Sequence, residues 1–299
     1  MNNVYEQVDK NKLKSTIVMV SFMGFIAFVA WIYGQATDMG ASFVGIALVI
    51  SGIMSFGSYY YSDKIVLSLS GAKPANRQDN FDFYTVTENL CIGAQLPMPK
   101  LYVIPDTAMN AFATGRDPKH AAVVATTGLL QRLDRSELEG VVAHELSHVG
   151  NYDIRLMSIV TILVGTVTLL ADWFLRMSWS GRKSKNSEGG SGIIAIIAIV
   201  LTLLSPIIAQ LIQLAISRQR EYLADASAAK LTRQPSALAS ALRKLSTDTE
   251  PLEAANKATA HLYITNPLKN RKDTVSWFAG MFATHPPIEK RIQVLESMM

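Results

Sequence analysis

Long uncharged stretches divide the chain into membrane-like and water-soluble regions. Residues Ser15–Gln35 carry no charged side chain, and Met39–Ser62 form a second uncharged run that ends in three tyrosines. A helix that crosses a bilayer needs about 20 predominantly apolar residues. We therefore predict two spans, at about 15–35 and 39–62, joined by a tight hairpin at residues 36–38.

Two further apolar runs predict a second transmembrane hairpin. The third span covers about 154–176 and includes the uncharged run Leu156–Ala171, and the fourth covers about 193–216 and contains Pro206, which kinks a helix. Two buried helices in a large soluble core would give a similar pattern. Uncharged runs of this length are rare in soluble proteins, so the pattern favours spans.

Two polar blocks lie between and after these hairpins. Because an even number of spans separates them, both blocks share one side of the membrane with the N-terminus. Lys10, Lys12 and Lys14 precede the first span and indicate the cytoplasmic side, whereas the basic loop at 177–191 counts against that orientation. The predicted organisation has four parts. Residues 1–62 hold the N-terminal segment and the first hairpin, and residues 63–153 form a first catalytic segment with the metal-site helix. Residues 154–216 form the second hairpin, and residues 217–299 form a second catalytic segment with the third metal ligand.

Shorter patterns predict an α+β architecture for the polar blocks. Asn80–Ala94 and Ser217–Thr232 have helical periodicity, Pro235 starts another helix, and "HPPIEKRIQVLESM" forms a last one. The segments "PKLYVI", "NAFATG" and "AAVVATTGLL" are typical of short strands. The predicted fold class is therefore an α-helical membrane protein with four transmembrane helices and an α+β cytoplasmic domain.

Composition and charge agree with a membrane protein. Hydrophobic residues make up 49% of the chain and charged residues 17%, which is too apolar for an ordinary soluble domain. The net charge of +4 comes from lysines and arginines that lie mostly outside the apolar runs, which favours membrane orientation over nucleic-acid binding. The single cysteine, Cys91, excludes an intrachain disulfide.

The pentad "HELSH" indicates a metal site. His144 and His148 are four residues apart, so on a helix they face the same way and can bind one ion. Glu145 lies about 100° round the helix from His144, close to the ion without being a ligand. Asp134 and Glu137 form a capping box that opens this helix. The arrangement is the H-E-x-x-H pattern of zinc peptidases.

A catalytic zinc site needs a third protein ligand. Glu221 and Asp225, in "SRQREYLADASAAKL", are four residues apart on a predicted helix, so one can bind the metal while the other accepts a hydrogen bond from a ligand histidine. His148 lies just before the third span, and Glu221 lies just after the fourth. Because the chain leaves and re-enters the same membrane face at these points, His148 and Glu221 would come close together. The other candidates are Asp153, His120, His261 and His285.

The segments "TAMNAFATG", "HELSH", "SRQREYLADASAAKL" and "THPPIEKRI" resemble, in this order, the HtpX family of membrane zinc metallopeptidases, relatives of the type I CAAX prenyl endopeptidases. The resemblance covers nearly the whole chain and implies a zincin-like (gluzincin) catalytic domain. It implies one zinc ion held by His144, His148 and Glu221, with Glu145 catalytic. It further implies that Asp225 supports a ligand, Asn110 contacts the substrate backbone, and His285 binds substrate or the oxyanion.

The same resemblance implies a biological setting. It predicts a cytoplasm-facing endopeptidase of the bacterial inner membrane that cleaves misfolded membrane proteins in quality control and stress response. Its partners would be polypeptide substrates and the lipid bilayer, without nucleic acid. The segment "VGNYDIRL" departs from the family, because Tyr152 stands where a smaller residue is common.

Three other functions fit some features of the pattern. A site-2-type intramembrane metalloprotease would place the pentad inside a span, but polar segments flank it on both sides. A non-catalytic receptor or chaperone with structural zinc would fill all four metal positions with protein ligands and would not need Glu145. A CAAX-type prenyl protease would have more spans and a large internal chamber.

Overall fold

The structure, a computed structural model, describes residues 4–36, 41–165, 218–255, 259–265, 267 and 286–299. The first two predicted spans lie on helices α1 (Val4–Ala36) and α2 (Ala41–Tyr60), which pack against each other. Helix α1 begins well before the uncharged run, so the polar residues 4–14 continue the helix. Residues 153–165 form the described part of a further helix, α7.

The predicted four-span organisation is not confirmed. Among the described residues, no helix combines the length and the hydropathy that crossing a membrane requires. The fourth predicted span, residues 166–176 of the third, the loop at 177–191 and, apart from Ala36, the hairpin between the first two lie outside the described residues.

A four-stranded sheet forms the centre of the described polar region. Its strands are β1 (Lys73–Pro74), β2 (Lys100–Ile104), β3 (Ala111–Gly115) and β4 (Ala121–Thr126), in the spatial order β1-β2-β4-β3. Strands β2 and β4 are parallel, and the two outer pairs are antiparallel. The three strands predicted from sequence are confirmed, and β3 lies at the edge of the sheet.

One strand prediction is too long. The segment "AAVVATTGLL" continues as a strand only to Thr126, and Thr127–Arg132 form helix α5. The Thr126 hydroxyl accepts a hydrogen bond from the Leu129 backbone N–H and so caps this helix. Sequence periodicity alone did not distinguish this short apolar helix from a continuation of strand β4.

Both faces of the sheet are covered. Alternate residues of β4 contribute to two apolar clusters, with Val123 on the side of the metal-site helix and Val124 on the other. This double burial explains why β4 is apolar throughout rather than alternating. The surrounding described helices are α3 (Ser62–Leu69), α4 (Phe81–Ala94), α6 (Arg135–Gly150), α8 (Arg218–Thr232), α9 (Pro235–Thr247) and α10 (Ile288–Glu296), with 3-10 turns at Pro118–His120 and Ala260–Leu262.

Helix α6, which carries the pentad, is largely enclosed, with 11 of its 16 residues buried. The predicted capping box is present: the Asp134 carboxylate accepts from the Glu137 N–H, and the Glu137 carboxylate accepts from the Asp134 N–H. Gly140 lets α9 approach, because a Cβ at this position would lie 2.9 Å from the Leu238 Cα atom. Four apolar residues bury one face of the helix, namely Leu138, Val142, Leu146 and Val149.

Candidate metal centre

Two histidine rings face each other on the buried surface of α6. The Nε2 atoms of His144 and His148 are 3.2 Å apart, and their rings are nearly perpendicular. Both side chains are almost fully buried. The structure therefore brings the two predicted ligands to one point, as the spacing of four residues requires.

Helix α8 brings Glu221 to the same point. Its Oε2 atom is 3.7 Å from His144 Nε2, and its Oε1 atom is 3.6 Å from His148 Nε2. One ligand atom from each of these residues lies within 4.8 Å of the others. In a tetrahedral zinc site with Zn–N distances of about 2.0–2.1 Å, neighbouring ligand atoms lie roughly 3.3–3.4 Å apart. The observed spacing therefore fits a small tetrahedral cation.

The outer nitrogen of each ring meets a carboxylate. His144 Nδ1 is 2.9 Å from Asp225 Oδ1, and His148 Nδ1 is 2.9 Å from Asp153 Oδ2. An N–H on Nδ1 donates to each carboxylate, which leaves lone pairs on both Nε2 atoms of the neutral rings. At 3.2 Å two such lone pairs need a cation between them, which is a proton on His148 Nε2 in the metal-free protein and a metal ion when one is bound. The donor set therefore fits a bound metal ion.

Arg291 is a site residue that the sequence reasoning missed. Its Nη2 and Nε atoms donate to the two oxygens of Asp225 at 2.7 and 2.8 Å, and its Nη1 atom donates to the Ile264 carbonyl. The guanidinium is completely buried. A bidentate pair of this kind is charge-assisted and fixes the carboxylate that receives the His144 N–H.

The buried Glu145 has an acid strength suited to proton transfer. Burial raises the pKa of its carboxyl group to about 7, and the negative charge of Glu221 adds to that shift. Opposing contributions come from His148, Arg291 and a hydrogen bond from the Ala113 backbone N–H. A group with this pKa exchanges a proton readily near neutral pH.

The two ligand histidines have opposite pKa shifts. Burial lowers the pKa of His144, and the positive charge of Arg291 lowers it further, against the Asp225 hydrogen bond. Burial also opposes the charged form of His148, but the Asp153 hydrogen bond and the negative charge of Glu221 raise its pKa to about 9. In the metal-free protein at neutral pH, His144 is neutral and His148 is protonated.

The remaining third-ligand candidates occupy other places. Asp225 and Asp153 bind the outer nitrogens of the histidines, and His120 lies on the surface beside Asp117. His261 is buried, with its Nε2 atom 3.1 Å from the Thr161 hydroxyl. His285 lies outside the described residues. Within the described residues, Glu221 is the candidate whose carboxylate lies next to the Nε2 atoms of both histidines.

Asn110 lies at the start of the edge strand β3. Its Nδ2 atom donates to the Thr265 carbonyl at 3.1 Å, and its Oδ1 atom lies 3.4 Å from the Thr265 N–H. The Ile264 N–H donates to the Ala111 carbonyl beside it. The predicted contact of Asn110 with a substrate backbone stays a prediction, because its amide is bonded to the chain's own backbone here.

The chain is similar to known peptidases. A sequence profile of peptidase family M48 matches residues 77–299. The protease HtpX homolog of Tropheryma whipplei (strain Twist) is 43% identical over 296 residues, which cover 99% of this chain and 98% of the relative. The protease HtpX homolog of Ligilactobacillus salivarius (strain UCC118) is 42% identical over 301 residues, which cover 99% of this chain and 100% of the relative.

A solved structure is also similar. The crystal structure of S. mikatae Ste24p gives a TM-score of 0.49 with 20% sequence identity, over 97% of this chain and 67% of that chain. The sequence relatives confirm the predicted relationship to the HtpX proteases and, at the level of the family, the predicted peptidase activity. This chain belongs to peptidase family M48.

Proposed function

We propose that this protein is a membrane-associated, zinc-dependent endopeptidase with one zinc ion per chain. The observation that carries the proposal is the convergence of His144, His148 and Glu221, with the buried Glu145 next to them in sequence. Two neutral imidazole nitrogens and one carboxylate are a common protein ligand set of catalytic zinc sites. Such a set leaves one coordination position for chemistry, unlike a structural site.

Glu145 acts as the general base and general acid. When bound, zinc supplies a Lewis acid that polarises the peptide carbonyl and makes water more acidic. The Glu145 carboxylate would accept a proton from the attacking water and return it to the leaving amine. The nearby Ala113 backbone N–H on the edge strand favours the charged form of this carboxylate.

The edge strand β3 would bind the substrate. It pairs with β4 on one side; on the other side the Ala111 carbonyl accepts from the Ile264 N–H, which an extended peptide would replace when it adds through backbone hydrogen bonds. Ala113 lies on this strand and contacts Glu145, so a peptide paired there would pass the catalytic group. Asn110, whose amide already binds backbone groups of Thr265, would contribute at the start of the strand. His285 enters the proposal only through the family resemblance, as a residue that binds substrate or the oxyanion.

The outer surface of α1 and α2 supports membrane association. Several large apolar side chains on these helices are more than half exposed, and such a surface is unfavourable in water. They are Ile17, Val20, Val49, Ile53 and Phe56. Near its N-terminal end, α1 contacts the turn after the metal-site helix through Asn11. We therefore place the catalytic site at the membrane surface, beside the start of α1.

We further propose that the chain is a multi-pass protein of the bacterial inner membrane and that its catalytic site faces the cytoplasm. The lysines at the start of α1 support this side, since cytoplasmic flanks of membrane helices are enriched in basic residues. A site at that surface would meet the exposed loops of misfolded membrane proteins. Cleavage of such loops is the proposed role in quality control and stress response.

Replacement of Glu145 by glutamine tests the catalytic role. The full chain, purified in detergent and loaded with zinc, is incubated with an unfolded model polypeptide such as casein. Glu145→Gln should lower the cleavage rate by about 10²–10⁴-fold, because the general base is removed, while one zinc per chain is retained. Glu139→Gln, a half-exposed acid on the same helix, is the matched control. Undiminished cleavage by Glu145→Gln would contradict the proposal.

A further inference from the structure

Asn11 is a buried polar residue on a helix that the apolar pattern assigns to membrane anchoring. Its side chain is 1% exposed. It lies on α1, outside residues 77–299, which the family profile matches. Asn11, Ser15, Val18 and Phe22 are all buried and follow each other at helical spacing, so they form the inner face of α1.

Both amide hydrogens of Asn11 are used at the turn that follows the metal-site helix. The Nδ2 atom donates to the Asn151 carbonyl at 2.9 Å and to Asp153 Oδ1 at 2.7 Å. Asn151 is the residue that ends α6. Tyr152, between these two acceptors, has a φ of 59°, a left-handed conformation that costs a side chain of this size roughly 1–2 kcal/mol. The Asn11 amide therefore holds the two residues that flank a strained position.

Asp153 connects this turn to the metal site. Its second carboxylate oxygen, Oδ2, is 2.9 Å from His148 Nδ1. Orientation of a ligand imidazole depends on the partner of its outer nitrogen. Asn11, Asp153 and His148 thus form a continuous chain of hydrogen bonds, and all three side chains are buried.

Arg220 links the same amide to the helix of the third ligand. Its Nη1 atom lies 3.3 Å from Asn11 Oδ1 and 3.4 Å from Asp153 Oδ1. Arg220 directly precedes Glu221 on α8. One residue of α1 therefore contacts both the turn behind His148 and the helix that carries Glu221.

We propose that Asn11 is a positioning residue of the metal centre, which holds Asp153 in the orientation that receives the His148 Nδ1–H and so directs His148 Nε2 at the metal. The inference rests on the metal site of the proposed function. It makes the start of α1 a component of the catalytic apparatus as well as an anchor. A buried amide that served packing alone would gain nothing over an apolar residue, since burying it costs free energy unless its bonds are made.

The test measures zinc affinity of the purified full chain by competition with a coloured chelator. Asn11→Ala and Asn11→Asp should each raise the zinc dissociation constant by about 10–100-fold, the usual effect of losing a partner behind a ligand. Asn11→Asp keeps the size of the side chain but removes the donor facing Asp153. Ser15→Ala is the matched control, because Ser15 is equally buried one turn later and its hydroxyl bonds the Asn11 carbonyl.

A double-mutant cycle separates positioning from general packing. If Asn11 acts through Asp153, then Asn11→Ala should change zinc affinity little once Asp153→Asn is present. The visible absorption bands of the cobalt-substituted protein should also shift in Asn11→Ala and remain unchanged in Ser15→Ala. Additive losses, or an effect of Ser15→Ala equal to that of Asn11→Ala, would overturn the inference. Failure of the wild-type chain to bind zinc would instead overturn the proposed function.

Discussion

The two metal-site histidines are supported in different ways. Behind His144, Asp225 is held by both arms of the buried Arg291 guanidinium at 2.7 and 2.8 Å. Behind His148, the Asp153 carboxylate accepts a hydrogen bond from the neutral Asn11 amide at 2.7 Å and a longer one from the Arg220 guanidinium at 3.4 Å. The first support is an ion pair between two residues of the second polar block. The second support depends on Asn11, which lies on helix α1 in the N-terminal segment.

This difference contributes to the opposite pKa shifts of the two rings. Burial lowers the pKa of His144, and the positive charge of Arg291, the partner of Asp225, lowers it further. Asp153 is compensated less, so its charge and that of Glu221 raise the pKa of His148 to about 9. The two proposed metal ligands, a single helical turn apart, would therefore differ in whether a metal ion must displace a proton.

The largest expected difference between the two supports is in stability. Arg291→Met leaves the Asp225 carboxylate buried without its charge partner, and breaking a buried ion pair costs about 3–5 kcal/mol of unfolding free energy. Arg220→Met, the matched change behind His148, should cost about 1–3 kcal/mol, because the Asn11 amide still satisfies Asp153.

Urea denaturation of both metal-free variants in detergent, followed by tryptophan fluorescence, gives these two free energies. Equal losses of unfolding free energy in the two variants would contradict the expectation that the support behind His144 is the stronger one. Replacing Arg291 and Asp225 together with apolar residues should recover some of the loss, because no charge is then left unpaired.

A smaller expected effect concerns proton release when zinc binds. The raised pKa of His148 means that its protonated form stabilises the metal-free fold fully below pH 6.5, and that this contribution is lost as the pH rises through about 9. Zinc binding at pH 7.5 should therefore release about one proton, from His148 and not from His144. Zinc affinity should rise with pH up to about 9.

Calorimetry in buffers of different ionisation enthalpy counts these protons. The Glu145→Gln background removes the second group that titrates near neutrality, since Glu145 has a pKa of about 7. Release of two protons, or of none, would show that the two histidines do not differ in the predicted way.

The sequence predicted which residues cluster at the candidate metal centre because much of their geometry is local. His144 and His148 are four residues apart on α6, and Glu221 and Asp225 are four apart on α8, so each pair shares a helix face. The pairing of the two helices followed from the order of polar and apolar blocks. The same reasoning left open which of several acids would bind the metal, because the contact between α6 and α8 is not encoded in either helix alone.

The support of a histidine by Asp225 was predicted, but Arg291 and Asn11, which hold the two supporting carboxylates, were missed because they depend on contacts between distant segments. Arg291 and Asp225 are 66 positions apart, and Asn11 and Asp153 are 142 apart. A local signal exists in both cases. Arg291 lies on the apolar stripe of Ile288, Ile292 and Leu295, and Asn11 lies on that of Val18 and Phe22. A polar residue on a buried stripe must find a partner, which indicates a role beyond solubility.

The fold was predictable to a similar degree. Most helix and strand positions in the polar blocks followed from periodicity, but helix α3, strand β1 and the change from β4 to α5 at Thr126 were not predicted. The N-terminal extension of α1 was not predicted, because the lysine-rich residues before the uncharged run were interpreted as a topology signal. Their contact with the turn after α6 depends on tertiary structure that no window of the sequence contains.

The zinc content of Glu221→Ala tests the metal centre most directly. Purified wild-type chain and the variant are dialysed against the same zinc-buffered solution, and metal is measured by mass spectrometry. We predict one zinc ion per wild-type chain and nearly none in Glu221→Ala, since two histidines alone bind zinc weakly. Retention of one zinc ion by Glu221→Ala, or absence of zinc from the wild-type chain, would contradict the assignment of the site.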